Sequence, residues 1–154
     1  MSFEKAKKYL QEKGYEDHII ELEDSSATVQ LAAEALGVEP GMIAKTLSFL
    51  VSDTPILILA EGTARVDNHK YKDTFHVKAK MIPFDDVEKY IGHAPGGVCP
   101  FGIKEGIPVY LDESLKKFDT VYPAAGNDHS AVRLTIAELE AVAGAEKWVD
   151  VCKE

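Results

Sequence analysis

The sequence predicts a single α+β domain spanning residues 1–154, a mixed curved sheet with short helices around it. Three observations point there. At 154 residues and 45% apolar content, the chain suits one domain with a sizeable core. Strand-like apolar runs recur between short turns, and short amphipathic segments stand among them, the pattern of a compact mixed domain with several non-parallel strands. There is no linker, low-complexity tract or internal repeat.

The elements follow in order. Residues 3–13 place Phe3, Ala6 and Leu10 at helical spacing, and Gly14 ends the helix. "HIIEL" (18–22) reads as a short strand. "SSATVQLAAEALG" reads as a helix capped by Ser26 or Thr28, with Val29, Ala32, Ala33 and Leu36 on its apolar side and Gly37 as its stop. Pro40 opens a helical turn. "KTLSFLV" and "PILILA" form strands joined by "SDT", and the second is apolar on both faces, as a central strand must be. "EGTARVDNHKYKDT" is an exposed loop leading into a short helix.

"HVKAKMI" (76–82) reads as another strand. Pro83 then opens "FDDVEKYIG", a helix with Phe84, Val87 and Ile91 on one side and acids in its first turn. "GIPVYLDESL" and "DTVYPAAG" hold strands, and "SAVRLT" is a strand with alternating faces. "TIAELEAVAG" carries a capping box, Thr135 and Glu138. "KWVDVC" is the last strand.

Composition narrows the function. No apolar run approaches a membrane span, and the first residues lack the apolar core of a signal peptide, so a cytoplasmic protein is expected. Two cysteines, Cys99 and Cys152, make no disulfide framework and no CxxC pair. The net charge of −9 argues against bulk attraction to nucleic acid, yet Arg65, Lys70, Lys72, Lys78, Lys80 and Lys89 crowd one 25-residue stretch, with His69 and His76 among them. They are either solvated lysines or a local patch for a phosphate backbone. Five histidines show no HxH or HExxH spacing, and nucleotide-binding glycine fingerprints are absent; no cofactor and no metal are expected.

Three places draw attention. Lys45 stands in an apolar context: it either snorkels to water or sets an ammonium at a pocket wall, with Thr46 as a possible hydroxyl partner. "GGVCPFG" (96–102) is a glycine-rich loop holding Val98, Cys99 and Phe101, either a tight turn or a place where a ligand presses on backbone. Cys99 there is either a nucleophile or a small buried hydrophobe. "PAAGNDHSAVRLT" turns at Gly126, Asn127 and Asp128, then presents His129 and Ser130. His129 is either exposed at a surface turn or aimed into a pocket. Asp128, His129 and Ser130 are adjacent and point in different directions, so they make no triad.

Taken together, Lys45, "GGVCPFG" and "AAGNDHS" resemble the YbaK/EbsC and ProX-like family, free-standing relatives of the bacterial prolyl-tRNA synthetase editing domain. The resemblance runs from Ser26 to Val151 and includes "TVQLAAEALGVEPGMIAKTLSF" and "IPVYLDESLKKFDTVYPAAGNDHSAVRLT". It implies a fold around a curved sheet and hydrolysis in trans of a mischarged aminoacyl-tRNA at the 3′-terminal adenosine. It implies catalytic roles for Lys45, Gly96, Gly97 and His129. It implies substrate binding by Thr46, Val98, Cys99, Pro100, Phe101, Gly126 and Ser130, and tRNA docking by Lys70, Lys72, Lys78 and Lys80. Gly96 to Pro100 matches the family's GxxxP.

The Lys45–Thr46 pair resembles the branch that clears cysteine from tRNA(Pro); the alanine-clearing branch carries asparagine after the lysine. Cys99 sits where many relatives have serine or another small residue, so the resemblance gives it no catalytic role. For a cysteinyl ester, the resemblance implies attack by the substrate's own thiol, with backbone N–H groups of the loop stabilising the oxyanion. Selection of the tRNA would be intrinsic or supplied by prolyl-tRNA synthetase. Clearing of alanine from tRNA(Pro), a non-enzymatic tRNA-binding or regulatory protein, and a small-molecule ester or thioester hydrolase are the alternatives.

Overall fold

Helix α1 (Ser2–Glu12) opens the computed structural model, which describes residues 2–153, and Gly14 turns the chain at φ +86°. Strand β1 (Ile19–Glu21) follows, then α2 (Val29–Leu36). Thr28, not Ser26, caps α2: its hydroxyl accepts from the Leu31 N–H at 3.1 Å.

Next come β2 (Ala44–Val51) and β3 (Thr54–Glu61), an antiparallel hairpin. Its two-residue turn sets Ser52 and Asp53 at positive φ, the geometry that matches strand twist. Strand β4 (Arg65–Val66) leads into α3 (Asn68–Phe75), where the Asp67 carboxylate accepts from the His69 and Lys70 N–H groups. The remaining elements are α4 (Val87–Ile91), β5 (Val109–Asp112), β6 (Thr120–Val121), β7 (Ser130–Val132), β8 (Leu134–Thr135), α5 (Ile136–Val142), β9 (Lys147–Val149) and β10 (Cys152–Lys153). The Thr135–Glu138 capping box on α5 is present in both directions. No helix among the described residues is long and apolar enough to cross a membrane.

The main sheet has the order β2-β3-β5-β9, so β3 is internal, as its double-sided apolar run predicts. Three two-stranded pairs, β1-β7, β4-β10 and β6-β8, complete the framework. One expectation is corrected: β3-β5 and β5-β9 are parallel. The segment between β3 and β5 carries two helices and returns the chain to the same end of the sheet, which parallel pairing requires.

Three smaller corrections have local causes. Residues 76–82 form no strand, only a bridge between Met81 and Phe49 plus bonds from Leu50 N–H to Lys80 O (2.8 Å) and Ile82 N–H to Ser48 O (3.1 Å). His76 is spent as the left-handed cap of α3. Phe84 is 74% exposed rather than buried, because residues 84–86 form a 3₁₀ turn and lose the α-helical phase with Val87 and Ile91. The last strand is split: the buried Asp112 carboxylate accepts from the Val151 N–H at 2.8 Å, and the chain leaves β9 to pair with β4.

"SAVRLT" is likewise two strands, and Ser130, Ala131 and Val132 are all buried instead of alternating. The core lies on both faces of the sheet. Leu57, Leu59 and Leu111 face Ile91, Phe101 and Leu139 on one side; Ile56, Ile58 and Ala60 lie beside Phe49 on the other, where Tyr71 packs. This alternation separates neighbours on β2: Ala44 and Leu50 belong to the first face, Leu47 and Phe49 to the second. Lys45 therefore shares a face with Leu47 and Phe49, and Thr46 with Ala44.

Candidate active site

A cavity of about 180 Å³ opens where four distant segments meet: the start of α2, the start of β2, the glycine loop, and the strands around Tyr122 and Ser130. Its wall is mostly apolar, with Val29, Ala32, Ile43, Ala44 and Val98 supplying much of it. Hydroxyls of Ser26, Thr28, Thr46 and Ser130 line it too, and Lys45 stands at its edge.

Backbone bonds hold the segments in place. Leu22 N–H donates to His129 O at 2.7 Å, and Ser26 N–H to Asp128 O at 2.6 Å, stitching the approach to α2 onto the "GNDHS" turn. Gly97 packs on the same turn: a Cβ there would lie 2.5 Å from the Gly126 carbonyl carbon and from the Asn127 nitrogen. Gly96 differs. It has φ +92°, lines the cavity, and a Cβ on it would meet nothing closer than 3.8 Å. The first glycine thus satisfies a backbone angle at an open mouth, and the second a tight loop-on-loop contact.

The Lys45 ammonium is half-buried and donates to the carbonyl oxygens of Gly62, at 3.4 Å, and Ala64. Burial lowers its pKa, and the nearby Cys152 and Glu61 partly counter that. Glu61, itself buried, accepts from the Thr63 N–H and hydroxyl and lies 3.7 Å from the Lys117 ammonium. Of the four serine and threonine hydroxyls on the wall, three are engaged. Thr28 caps α2, Ser130 donates to Asn127 Oδ1 at 2.6 Å, and Ser26 donates to Ser130 O at 3.5 Å. Thr46 Oγ1 is buried without a hydrogen-bond partner among the described residues. It is an unsatisfied polar atom next to the cavity.

The structure sorts the sequence-predicted residues. Lys45, Thr46, Gly96, Val98 and Ser130 come together on the cavity wall. Gly97 and Gly126 stand behind it, and the Gly97 N–H is committed to Ala94 O at 3.1 Å, so it is not a spare oxyanion donor. Cys99, Pro100 and Phe101 are not on the wall but buried behind it, because the apolar loop residues turn into the core rather than toward a ligand. Burial pushes the Cys99 thiol up to about 12, and its Sγ sits 3.5 Å from His93 Nε2. His129 is also off the wall. Its exposed ring bonds Asp128 Oδ1 at 3.1 Å and lies 3.4 Å from Asn127 Nδ2.

The four lysines do not share one patch. Lys70 is held by Asp150 at 3.1 Å and by Cys152 O, while Lys72 and Lys78 line a common groove that Lys80 does not line. Sequence reading missed Ser26, Ala27, Ile43, Tyr122, Ala124 and Ala131, which are apolar or small and carry no chemical signature alone. The serine–threonine cluster before α2 was the one available signal, and it reads as capping.

No His, Cys, Asp or Glu lines the cavity, and the Lys45 ammonium bonds backbone carbonyls rather than a wall hydroxyl, so no hydroxyl there is paired with a base. Among the described residues no group of three or more His, Cys, Asp or Glu could hold a metal ion. The arrangement can bind a small group with one polar end, beside an ammonium and a conformationally special glycine.

Comparison with known proteins gives consistent findings. Residues 23–142 match the family model described as the aminoacyl-tRNA editing domain. The chain is 45% identical to the uncharacterised protein YwhH of Bacillus subtilis (strain 168), over 100% of this chain and 99% of that one. It is 28% identical to EbsC of Enterococcus faecalis, provisionally named a Cys-tRNA(Pro)/Cys-tRNA(Cys) deacylase, over 78% of this chain and 74% of that one. A crystal structure provisionally named a trans-editing enzyme for prolyl-tRNA synthetase superposes with TM-score 0.89 at 31% identity, covering 99% and 98% of the two chains.

Proposed function

The chain belongs to the aminoacyl-tRNA editing domain family, and from that premise we propose that it is a free-standing deacylase that hydrolyses a mischarged tRNA in trans, Cys-tRNA(Pro) foremost. The observation that carries this reading is a small apolar cavity bordered by Thr46, whose buried hydroxyl has no hydrogen-bond partner among the described residues. A cavity of about 180 Å³ suits a small side chain, and a thiol offers that hydroxyl a partner where an alanine methyl offers none. The name given to EbsC supports the same substrate.

In this reading Lys45 lies where the ester meets the terminal nucleotide, and its charge steadies the oxyanion or the sugar end. Gly96 leaves the mouth open to the ester. Ser130 and Val98 shape the acyl site. No wall hydroxyl is bonded to a base, so the substrate's thiol attacks its own carbonyl: a C–S bond forms, the ester C–O bond breaks, the thiol proton passes to the leaving ribose oxygen, and water opens the resulting thiolactone. Gly97 and Gly126 hold the loops together, and His129 fixes the outer turn. Such a protein works in the cytoplasm, where charged tRNA is made and used, with prolyl-tRNA synthetase as the source of its substrate.

The test is a deacylation panel with tRNA(Pro) charged with cysteine, alanine, serine and proline. Fastest loss of cysteine supports the reading. Preferential loss of alanine keeps the editing activity and replaces the specificity. No turnover above buffer hydrolysis rejects the assignment.

A further inference from the structure

The two carbonyls that hold the Lys45 ammonium belong to one turn. Strand β3 ends at Glu61, the Ala64 N–H donates to Glu61 O at 3.1 Å, and β4 begins at Arg65. Gly62 O and Ala64 O, the acceptors of Lys45, lie inside this turn. It is seated tightly on the approach to β2: a Cβ on Gly62 would stand 2.0 Å from Pro40 O. Whatever fixes the turn therefore fixes the ammonium.

Both ends of segment 61–67 lead to the same side chain. At the first end, the Glu61 N–H donates to Ser114 Oγ at 3.2 Å, and the Ser114 N–H donates to Asp112 Oδ2 at 2.9 Å. At the second, the Asp67 N–H donates to Val151 O at 2.8 Å, and the Val151 N–H donates to Asp112 Oδ1 at 2.8 Å. Between them β4 pairs with β10, where the Cys152 thiol donates to the same carboxylate. Asp112 ends β5 and is 1% exposed. Capping explains only part of this. The Ser114 bond caps the 3₁₀ turn Glu113–Lys117, a task that serine or asparagine performs as well. A buried carboxylate is far costlier than a neutral cap and persists only where its oxygens are bonded. Here one oxygen serves the cap, and the other reaches across 39 residues of chain to Val151.

We propose that Asp112 is the positioning residue of Lys45: one buried carboxylate ties down both ends of segment 61–67, and the carbonyls of that segment hold the ammonium at the cavity edge. The inference rests on the deacylase reading, which gives Lys45 its place at the ester, and adds a residue that does not line the cavity. Fixed acceptors matter because the four-carbon lysine stem is flexible. An ammonium displaced from the forming oxyanion loses much of its effect on the transition state.

The experiment uses the full chain with Asp112→Asn and with Ser114→Ala, the second removing only the hydroxyl that holds Glu61. Glu113→Gln is the control, since it removes an equal charge one residue away from a side chain paired with Lys116. With charged tRNA(Pro), Asp112→Asn should lower kcat about tenfold to a hundredfold, as misplacement of a catalytic group does. Ser114→Ala should lower it less, and Glu113→Gln should leave it unchanged. In a Lys45→Ala background, Asp112→Asn should change kcat by less than about twofold, because nothing is left to position. A second readout needs no activity: the titration of Lys45, followed by NMR with isotope-labelled lysine. Loss of a nearby negative charge by itself pushes the lysine's pKa further down, whereas release of the ammonium into water raises it toward 10.5. Asp112→Asn should raise it. Losses that multiply in the double variant, or a Lys45 titration that falls or stays unchanged in folded Asp112→Asn, overturn the proposal. Should Asp112→Asn fail to fold, Ser114→Ala decides by the same cycle and the same titration. A raised titration with no charged tRNA hydrolysed by the parent protein supports the positioning role and rejects the deacylase reading. Parental kcat and titration in Asp112→Asn, with an active parent protein, do the reverse.

Discussion

Gly97 lies so close to Asn127 that a methyl group on it would stand 2.5 Å from the Asn127 backbone nitrogen. The contact locks the glycine loop to the turn that carries Ser130, and so fixes two walls of the cavity at once. Backbone cannot give way as a flexible side chain can. Gly97→Ala should therefore cost about 1–3 kcal/mol of stability, as overpacking does. Thermal unfolding checks it, and an unchanged midpoint would show that the loops are not mutually braced.

Gly96 makes a different demand. Its φ of +92° disfavours any L side chain, yet there is room around it. Gly96→Ala should cost about 1–2 kcal/mol through backbone strain. Gly96→Val should also place a branched side chain at the cavity mouth and lose most turnover. A folded Gly96→Val protein with full activity would reduce the loop to a turn.

Lys45→Ala should lower turnover by the equivalent of about 2–4 kcal/mol of transition-state stabilisation, by analogy with a lost oxyanion donor. Burial lowers the lysine's pKa from the ordinary 10.5, so the ammonium is lost earlier on the alkaline side. Enzymatic turnover, corrected for spontaneous ester hydrolysis, should decline with a midpoint below 10.5. The stability contribution has the opposite sense. Below 10.5 the unfolded chain binds more protons at this group than the folded one, so the cost of burying its charge is relieved as pH rises through the folded pKa. Lys45→Met should flatten both trends.

Thr46→Val removes the unpartnered hydroxyl while keeping the shape of the side chain. Losing an unsatisfied buried polar atom should leave stability equal or higher. Discrimination between cysteinyl and alanyl esters should fall, because the thiol loses its partner. Unaltered relative kcat/KM for the two substrates would remove Thr46 from specificity.

Both thiols are pushed up to about 12 from the ordinary 9.0 by burial, so at pH 8 they are protonated and covered. A thiol reagent should label neither in the native protein and both after denaturation. The folded state holds these protons more tightly, so their stabilising effect is complete below 9.0 and is lost as pH rises toward about 12. Cys99→Ser should retain most turnover. An acyl adduct trapped on Cys99 would contradict its burial.

His129→Ala should keep most activity, since the ring bonds only the outer turn. Measured kcat close to wild type is the expected result, and a collapse of kcat in a folded variant would return His129 to the chemistry.

The sequence by itself determined the local structure wherever one residue type settles the matter. Gly14 and Gly37 stop helices, Thr135 and Glu138 cap one, and the doubly apolar "PILILA" lies inside the sheet. It also marked Lys45 and the glycine loop, because an isolated charge and clustered glycines are visible without a fold. Only the tertiary structure decided which residues share a surface. Lys45 and Thr46 both border the cavity, yet strand alternation puts Lys45 on the Leu47–Phe49 face of β2 and Thr46 on the Ala44 face. Cys99 and Phe101 stood in the loop read as a place for a ligand and are core, while Ala32, on the apolar side of α2, also lines the cavity. Apolar side chains carry no mark of which they will be: the hydrophobic effect rewards burial without direction, and the choice between wall and core falls to the packing of segments remote in the chain.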